Sequence, residues 1–402
     1  MRVKSGALIG VSMLLASFNG CAKANNDAIK GSAFMWVATE GDQKVTPFNV
    51  NLTNGAASQA GDPAATGVAP IAMVLTPDGK TLFVANNGDN TVSSYAVASD
   101  AKLTAQGSPA PVGSLPVAVA VDPSSTFLFV ANQGTFGNNT SGTISVFMIQ
   151  GSSLTEVTGS PFVTEGPNDA VGTGPSALVA SPTGSFLYVA NQFTNDLSVF
   201  SYDNTGALTL LTGCGAGQNC PFPRVAAGSN PSALAFSRCA GVSTATSACA
   251  TNDGNNLFIA NSGSNNISVF AACIQPTATC TGADGSLIPI ASSPFAAGSR
   301  PIAFMVHPLL NFVYAVDSKS NQVSQFKYSP ATGALSALSP AAVSASSNPL
   351  AGGITSDGNW AFVPNNGGSS VSAFKVGVAG RLDPATTSSI ALGGQPSVVV
   401  VR

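Results

Sequence analysis

The chain carries one histidine, His307, seven cysteines and few charges, so the chemistry open to it is narrow. A general base or a Ser-His-Asp triad could use only His307, and no G-x-S-x-G elbow accompanies it. His307 precedes Pro308 where comparable segments place Asp122, Ser181 and Thr76, so it reads as a turn residue. No histidine cluster or Cys-x-x-Cys pair is present to hold a metal, and no metal site is expected. Asn252-Asp253-Gly254-Asn255 lacks the spacing of a calcium cage. Gly79-Lys80-Thr81 has Val74 where a phosphate loop needs its first glycine. Gly213, Gly215 and Gly217 lie between cysteines without the strand-to-helix context of a dinucleotide fingerprint. No cofactor is expected. What remains is a handful of charges in polar segments: Asp62, Glu165, Asp169, Arg224 and Arg300. The two arginines stand seven and one residues before prolines that open apolar runs.

Scarcity makes those charges conspicuous. Only 8% of 402 residues are charged, 15 Lys+Arg against 18 Asp+Glu, where globular proteins carry roughly 25%. Too few cations exist to displace counterions from nucleic acid. With 44% hydrophobic residues the chain can bury a large core, which excludes charge-driven disorder. Gly 42 and Pro 26 imply many turns and few long helices.

The N-terminus reads as an export signal. Arg2 and Lys4 precede an apolar run from Gly6 to Ala16, shorter than the ~20 residues a spanning helix needs. Two processing sites fit. Phe18-Asn19-Gly20-Cys21 is similar to a bacterial lipobox, making residues 1–20 the signal and Cys21 the lipidated first residue. Ala22-Lys23-Ala24 would instead release 1–24 and remove Cys21. Parity favours the lipoprotein, because setting Cys21 aside leaves six cysteines in an oxidising compartment. They fall in near pairs, Cys214 and Cys220, Cys239 and Cys249, Cys273 and Cys280, and are expected to form disulfides, sequential pairing being a guess from proximity.

One phrase recurs through the remainder. Phe83-Val84-Ala85-Asn86 returns at Phe129–Asn132, Tyr188–Asn191, Phe258–Asn261, Tyr314–Asp317 and Phe362–Asn365, with a weaker first copy at Trp36–Thr39. The copies end 46 to 70 residues apart, the period of a propeller or solenoid. Before each phrase an apolar run opens on proline, as in Pro116–Val121, and ends in a turn such as Thr76-Pro77-Asp78-Gly79. After it come a polar turn, an alternating strand such as Ile144–Phe147 and a weaker segment such as Ala207–Leu211. Four strands per repeat make a propeller blade. The phrase asparagine is expected to be a turn residue in left-handed backbone. The first phrase has no inner strand before it and Pro396–Val401 has no blade after it. The C-terminal strand is therefore expected to complete blade 1. The reading is an all-β, seven-bladed β-propeller of four-stranded antiparallel blades over 33–402, with 21–32 as a tether.

These phrases and the Pro-x-Gly turns before them resemble the YVTN-repeat, lactonase-type seven-bladed propeller family across 33–402. The resemblance implies 6-phosphogluconolactonase or cycloisomerase activity for members with an Arg-His pair after a strand-opening proline. Here those positions hold Ile71-Ala72, Val117-Ala118, Ser176-Ala177, Ser232-Ala233, Ile302-Ala303, Leu350-Ala351 and Ser397-Val398, none of them basic. The expectation is a binding platform in the cell envelope, with a lactone hydrolase or cycloisomerase as the rival. Glu165, Asp169, Arg224 and Arg300 would face the channel mouth and hold a small anion, since guanidinium pairs bidentately with carboxylate or phosphate. The partner is that anion or an envelope protein, the ring is a monomer, and the membrane is touched only through the N-terminal lipid.

Overall fold

A computed structural model describes residues 32–135, 142–164, 173–211, 224–238, 255–274 and 284–402. Among the described residues there are seven antiparallel sheets and, outside strands, one 3-10 turn at Asn366–Gly368. The sheets are the blades, and their inner strands contact one another in ring order. Blade 2 shows the plan: Pro70–Leu75 innermost, then Thr81–Asn86, Thr91–Val97 and Leu103–Ala105. Inner strands of blades 3 to 6 are Pro116–Val121, Pro175–Ala180, Pro231–Phe236 and Pro301–Val306. Blade 7 has only Gly353–Ile354 plus a bridge from Pro349 to Asn365. Its Gly352 and Gly353 leave room for neighbouring strands. A Cβ there would meet Met305 Sδ at 2.6 Å or Val401 Cγ2 at 2.6 Å.

The apolar runs become inner strands because both their faces are covered by adjacent blades, so Pro70–Leu75 and Thr81–Asn86 are buried at every position. The third strands depart from the expected alternation. Their serines, Ser93, Ser145, Ser198, Ser268 and Ser372, are buried as well. Each accepts the side-chain amide of the phrase asparagine two strand positions across, at 2.9–3.0 Å. The fourth strand is commonly broken in two, as Leu103–Ala105 and Ala110–Pro111 both pair with Thr91–Val97.

Closure is as expected. Pro396–Val401 pairs with Ser32–Thr39 from Met35↔Val401 to Thr39↔Pro396 and is the innermost strand of blade 1. Beyond it, Phe34 and Arg402 exchange backbone hydrogen bonds at 3.0 and 2.8 Å. The seams between blades are stitched by aromatic donors. Trp36 Nε1 donates to the Ala101 carbonyl at 2.9 Å, Tyr188 Oη to Gly285 at 2.9 Å and Trp360 Nε1 to Leu52 at 2.7 Å.

Candidate functional site

Inner strands begin, and phrases end, on one face of the ring, which is the channel mouth. A short segment precedes each inner-strand proline, such as Gly228-Ser229-Asn230-Pro231 and Gly298-Ser299-Arg300-Pro301. The residue before proline is left-handed in six blades: Ala69, Leu115, Gly174, Asn230, Arg300 and Asn348, with φ between 50° and 60°. Its carbonyl accepts the N–H of the residue after the phrase asparagine, as in Ser318 to Arg300 at 2.9 Å. In four of them, Leu115, Asn230, Arg300 and Asn348, the N–H goes to an asparagine in the adjacent blade, Arg300 to Asn265 Oδ1 at 2.8 Å and Asn348 to Asn321 Oδ1 at 2.7 Å. The backbone there is locked and only the side chain varies. Blades 2 to 4 present Ala69, Leu115 and Gly174, whereas blades 5 to 7 present Asn230, Arg300 and Asn348, so the mouth has an apolar arc and a polar arc.

The phrase asparagine is not a left-handed turn residue, contrary to expectation. Asn365 has φ −112° and is fully buried, spending its amide on Ser370 and Ser372. Besides Asn230 and Asn348, left-handed asparagines lie four residues past the phrase end, at Asn90, Asn195, Asn265 and Asn321, where the carboxamide tolerates that conformation.

The residue after the proline is a bulge in blades 1 to 6, because register shifts between Pro70 and Ala72 and at the matching positions. A bulge leaves its residue unpaired and re-aims the side chain. In three blades that side chain is a serine committed to the next blade. Ser176 donates to the Pro231 carbonyl at 2.5 Å, Ser232 to Pro301 at 2.8 Å and Ser397 to Pro70 at 2.6 Å. These hydroxyls hold seams together.

The charged candidates separate. Arg224 is not on an inter-blade loop. It belongs to the second half of the fourth strand of blade 4, Arg224–Ala226, opposite Ser198. Its guanidinium pairs with Asp196 at 3.3 Å and donates to Thr194 Oγ1 at 3.1 Å, both partners of the ion pair being only 13% and 15% exposed. Arg300 stays at the mouth, half-buried, with no ion pair among the described residues. Lys319 sits beside it and is a site residue that the repeat pattern alone does not mark. Its N–H bonds the Ser299 carbonyl at 3.1 Å while the adjacent Ser318 N–H bonds that of Arg300. The hint available in the sequence was a lysine two residues past the Asp317 phrase end. Glu165 and Asp169 lie outside the described residues, as do Cys21, Cys214, Cys220, Cys239, Cys249 and Cys280. Cys273 is buried at the end of the third strand of blade 5. Among the described residues no group of three His, Cys, Asp or Glu could hold a metal.

His307 closes the turn after the inner strand of blade 6. Its Nδ1 accepts the N–H groups of Leu309 and Leu310 at 3.0 and 2.9 Å, whereas Ser181 Oγ at the matching turn takes those of Ser185 and Phe186, four and five residues on. Burial pushes its pKa down to about 4. The neutral form is favoured by folding, so this stability is present above pH 6.5 and lost as pH falls toward 4. His307→Thr, the residue blades 2 and 7 use at Thr76 and Thr355, should therefore lose less stability than wild type between pH 7 and pH 4. The difference should reach at most about 3 kcal/mol. Identical acid limbs in denaturant titrations of the two proteins would disprove the assignment.

Seven antiparallel blades around a mouth of variable pre-proline residues define a seven-bladed propeller. The family model described as lactonase, 7-bladed beta-propeller, matches residues 28–137, 136–227 and 247–396, and the chain belongs to that family. The fold is similar to a candidate 6-phosphogluconolactonase of Bacteroides uniformis, at 18% identity and TM-score 0.69, covering 93% of this chain and 100% of that one. It is similar to the periplasmic gluconolactonase PpgL of Pseudomonas aeruginosa, at 18% identity and TM-score 0.68, covering 92% and 99%. Apo AztD of Citrobacter koseri also shares the fold, at 14% identity and TM-score 0.55, covering 93% and 98%. No curated protein matches the sequence.

Proposed function

We propose that this lactonase-family propeller is exported, anchored through a lipid on Cys21, and binds a small anionic ligand at its mouth as a platform in the cell envelope. The observation that carries the ligand class is the juxtaposition of Arg300 and Lys319 on blade 6, held by paired backbone bonds on a locked turn. Two cations on one rigid corner suit a carboxylate or phosphate. Arg224 is spent on Asp196 and adds nothing to this pair. The Arg2 and Lys4 n-region, the apolar Gly6–Ala16 run and the Gly20-Cys21 junction support export and lipidation. Burial of Cys273, whose backbone bonds to Gly285 and Ser286, supports a disulfide staple with Cys280.

Gluconate should raise the melting temperature of the mature protein, and Arg300→Ala with Lys319→Ala should remove most of that shift. Arg224→Ala should destabilise the fold yet keep the shift. If the double variant responds like wild type, the site is elsewhere.

A second reading is a sugar-lactone hydrolase or cycloisomerase, favoured by the names of the two structural relatives. Against it, three post-proline serines are bonded to carbonyls of the next blade, and the sole histidine serves a turn on the opposite face. Opening of gluconolactone above the uncatalysed rate, lost with Arg300 and Lys319, would establish the enzyme instead.

A further inference from the structure

The face opposite the mouth is made of turns, and most of their tips are polar. After the inner strand the tips are Asp78-Gly79 in blade 2, Ser124-Ser125 in blade 3, Thr183-Gly184 in blade 4 and Asp357-Gly358 in blade 7. Blade 6 has Leu309-Leu310 at that place, 55% and 39% exposed. After the third strand the tips include Asn54 in blade 1, Asp100 in blade 2, Ser152 in blade 3 and Asn204 in blade 4. Blade 7 has Val378, which is 100% exposed. The leucine and valine tips are neighbours across one seam. Gly380, which ends the Val378 turn, lies against the Phe312 ring so closely that a Cβ would overlap it. The Phe312 N–H in turn bonds the Leu310 carbonyl at 2.9 Å. Exposed aliphatic tips side by side, where other blades carry polar ones, mark an interaction surface.

Two further observations say what covers it. The first is where the chain enters the ring. Ser32–Thr39 runs antiparallel to the C-terminal inner strand, and Phe34 bonds Arg402 where that strand ends. Ser32 therefore lies on the face opposite the mouth, in blade 1, and blades 7 and 6 follow next round the ring. Ten residues separate it from Cys21, a length that reaches at most ~40 Å. A lipid on Cys21 thus turns this face, and not the mouth, toward the membrane. The second observation is charge. The chain has a net charge of −3, yet the groups beside these turns are Arg238, Lys327, Lys375 and Arg381 against Asp357 and Asp383. Arg238 Nε donates to Asn311 Oδ1 at 3.0 Å, next to Leu310, and Lys327 pairs with Phe312 across the sheet. Aliphatic tips set among cations suit the boundary of an anionic bilayer.

We propose that the turns of blades 6 and 7 rest on an anionic lipid surface, with Leu309, Leu310 and Val378 entering its headgroup boundary and the mouth facing away. The inference rests on the lipid-anchor reading for its orientation and adds a second, reversible contact to it. The short tether keeps the face at high effective concentration near the bilayer, so a weak contact is enough to hold the mouth outward.

The test is flotation of the mature chain carrying Cys21→Ser, made without its signal so that no lipid contributes. The vesicles are phosphatidylglycerol with phosphatidylcholine in equal parts, or phosphatidylcholine alone. The chain should float with the anionic vesicles and far less with the neutral ones. Leu309→Ser, Leu310→Ser and Val378→Ser together should weaken flotation at least ~10-fold, the scale of one aliphatic side chain withdrawn from water. The triple variant should melt close to wild type because the tips are exposed. Val378→Ser alone should still weaken flotation by a factor of ~3. Val163→Ser, an equally exposed aliphatic at the mouth end of blade 3, should change nothing. No flotation with anionic vesicles, or flotation undiminished in the triple variant, would overturn the proposal. So would self-association that the triple variant abolishes in the absence of vesicle binding, which would assign the tips to a second copy. Intact mass of the native N-terminus checks the anchor separately: an unlipidated Cys21 removes the anchor, while the turns still stand or fall on flotation.

Discussion

Removal of residues 395–402 is expected to abolish cooperative folding of the whole ring. The deleted strand contributes Val398, Val399, Val400 and Val401, all at most 7% exposed, to a core shared by blades 1, 2, 6 and 7. Burying one such side chain is worth roughly 1.5–3 kcal/mol, so four approach the ~5–15 kcal/mol that hold a whole domain together. The deletion also breaks the Ser397 bond to Pro70 and strips Ser32–Thr39 of its inner partner. An apolar strand, Phe34-Met35-Trp36-Val37, becomes an open edge, which invites self-association. Circular dichroism melting and size-exclusion chromatography should show loss of the sharp transition and oligomers or aggregate. A deletion protein that melts like wild type as a monomer would refute closure through blade 1.

Asp317→Asn is expected to stabilise the protein at alkaline pH and to do nothing near pH 4. Asp317 ends the phrase of blade 6, where other blades have asparagine, and it is fully buried. Ser324 donates to its Oδ2 at 2.7 Å, while Oδ1 has no partner. Burial pushes its pKa up to about 7. The sign follows: the protonated form is favoured by folding, so this contribution is complete below pH 3.8 and lost as pH rises through 7. A shift of that size corresponds to at most about 4 kcal/mol. Asparagine cannot ionise, and its amide can donate to Ser324 and Gln322 as Asn261 donates to Ser268 and Asn266. The variant should unfold at higher denaturant than wild type at pH 8, the gap closing toward pH 4. A constant gap across that range would mean the carboxyl titrates normally. His307, on the same blade, has the opposite sign over nearly the same window, so the wild-type profile partly conceals both.

Much of the fold could be read from residue order. The Tyr/Phe-Val-Ala-Asn phrase, the proline-opened apolar run and the orphan strand at the C-terminus name the blades and their closure, because β-pairing in a blade is local and follows hydrophobic run and turn. Ser93 and its equivalents were misjudged for a related reason. Alternation says which residues are polar, but a polar residue is buried when a partner such as Asn86 reaches it.

The candidate site was less legible. Arg224 looked like a loop charge until the split fourth strand placed it opposite Ser198 and within reach of Asp196. Lys319 gained meaning only when backbone bonds set it against Ser299 and Arg300. Asp317 was visible as a departure from the repeat, yet its cost depends on burial that no residue type announces. By itself, then, the sequence determined the repeat, the blade order and the scarcity of charge, since each is encoded within some ten neighbouring residues. Tertiary structure alone decided which hydroxyl is paired, which cation is spent and which carboxyl is starved of solvent. Those outcomes rest on atoms from adjacent blades, brought together across tens of residues by ring closure.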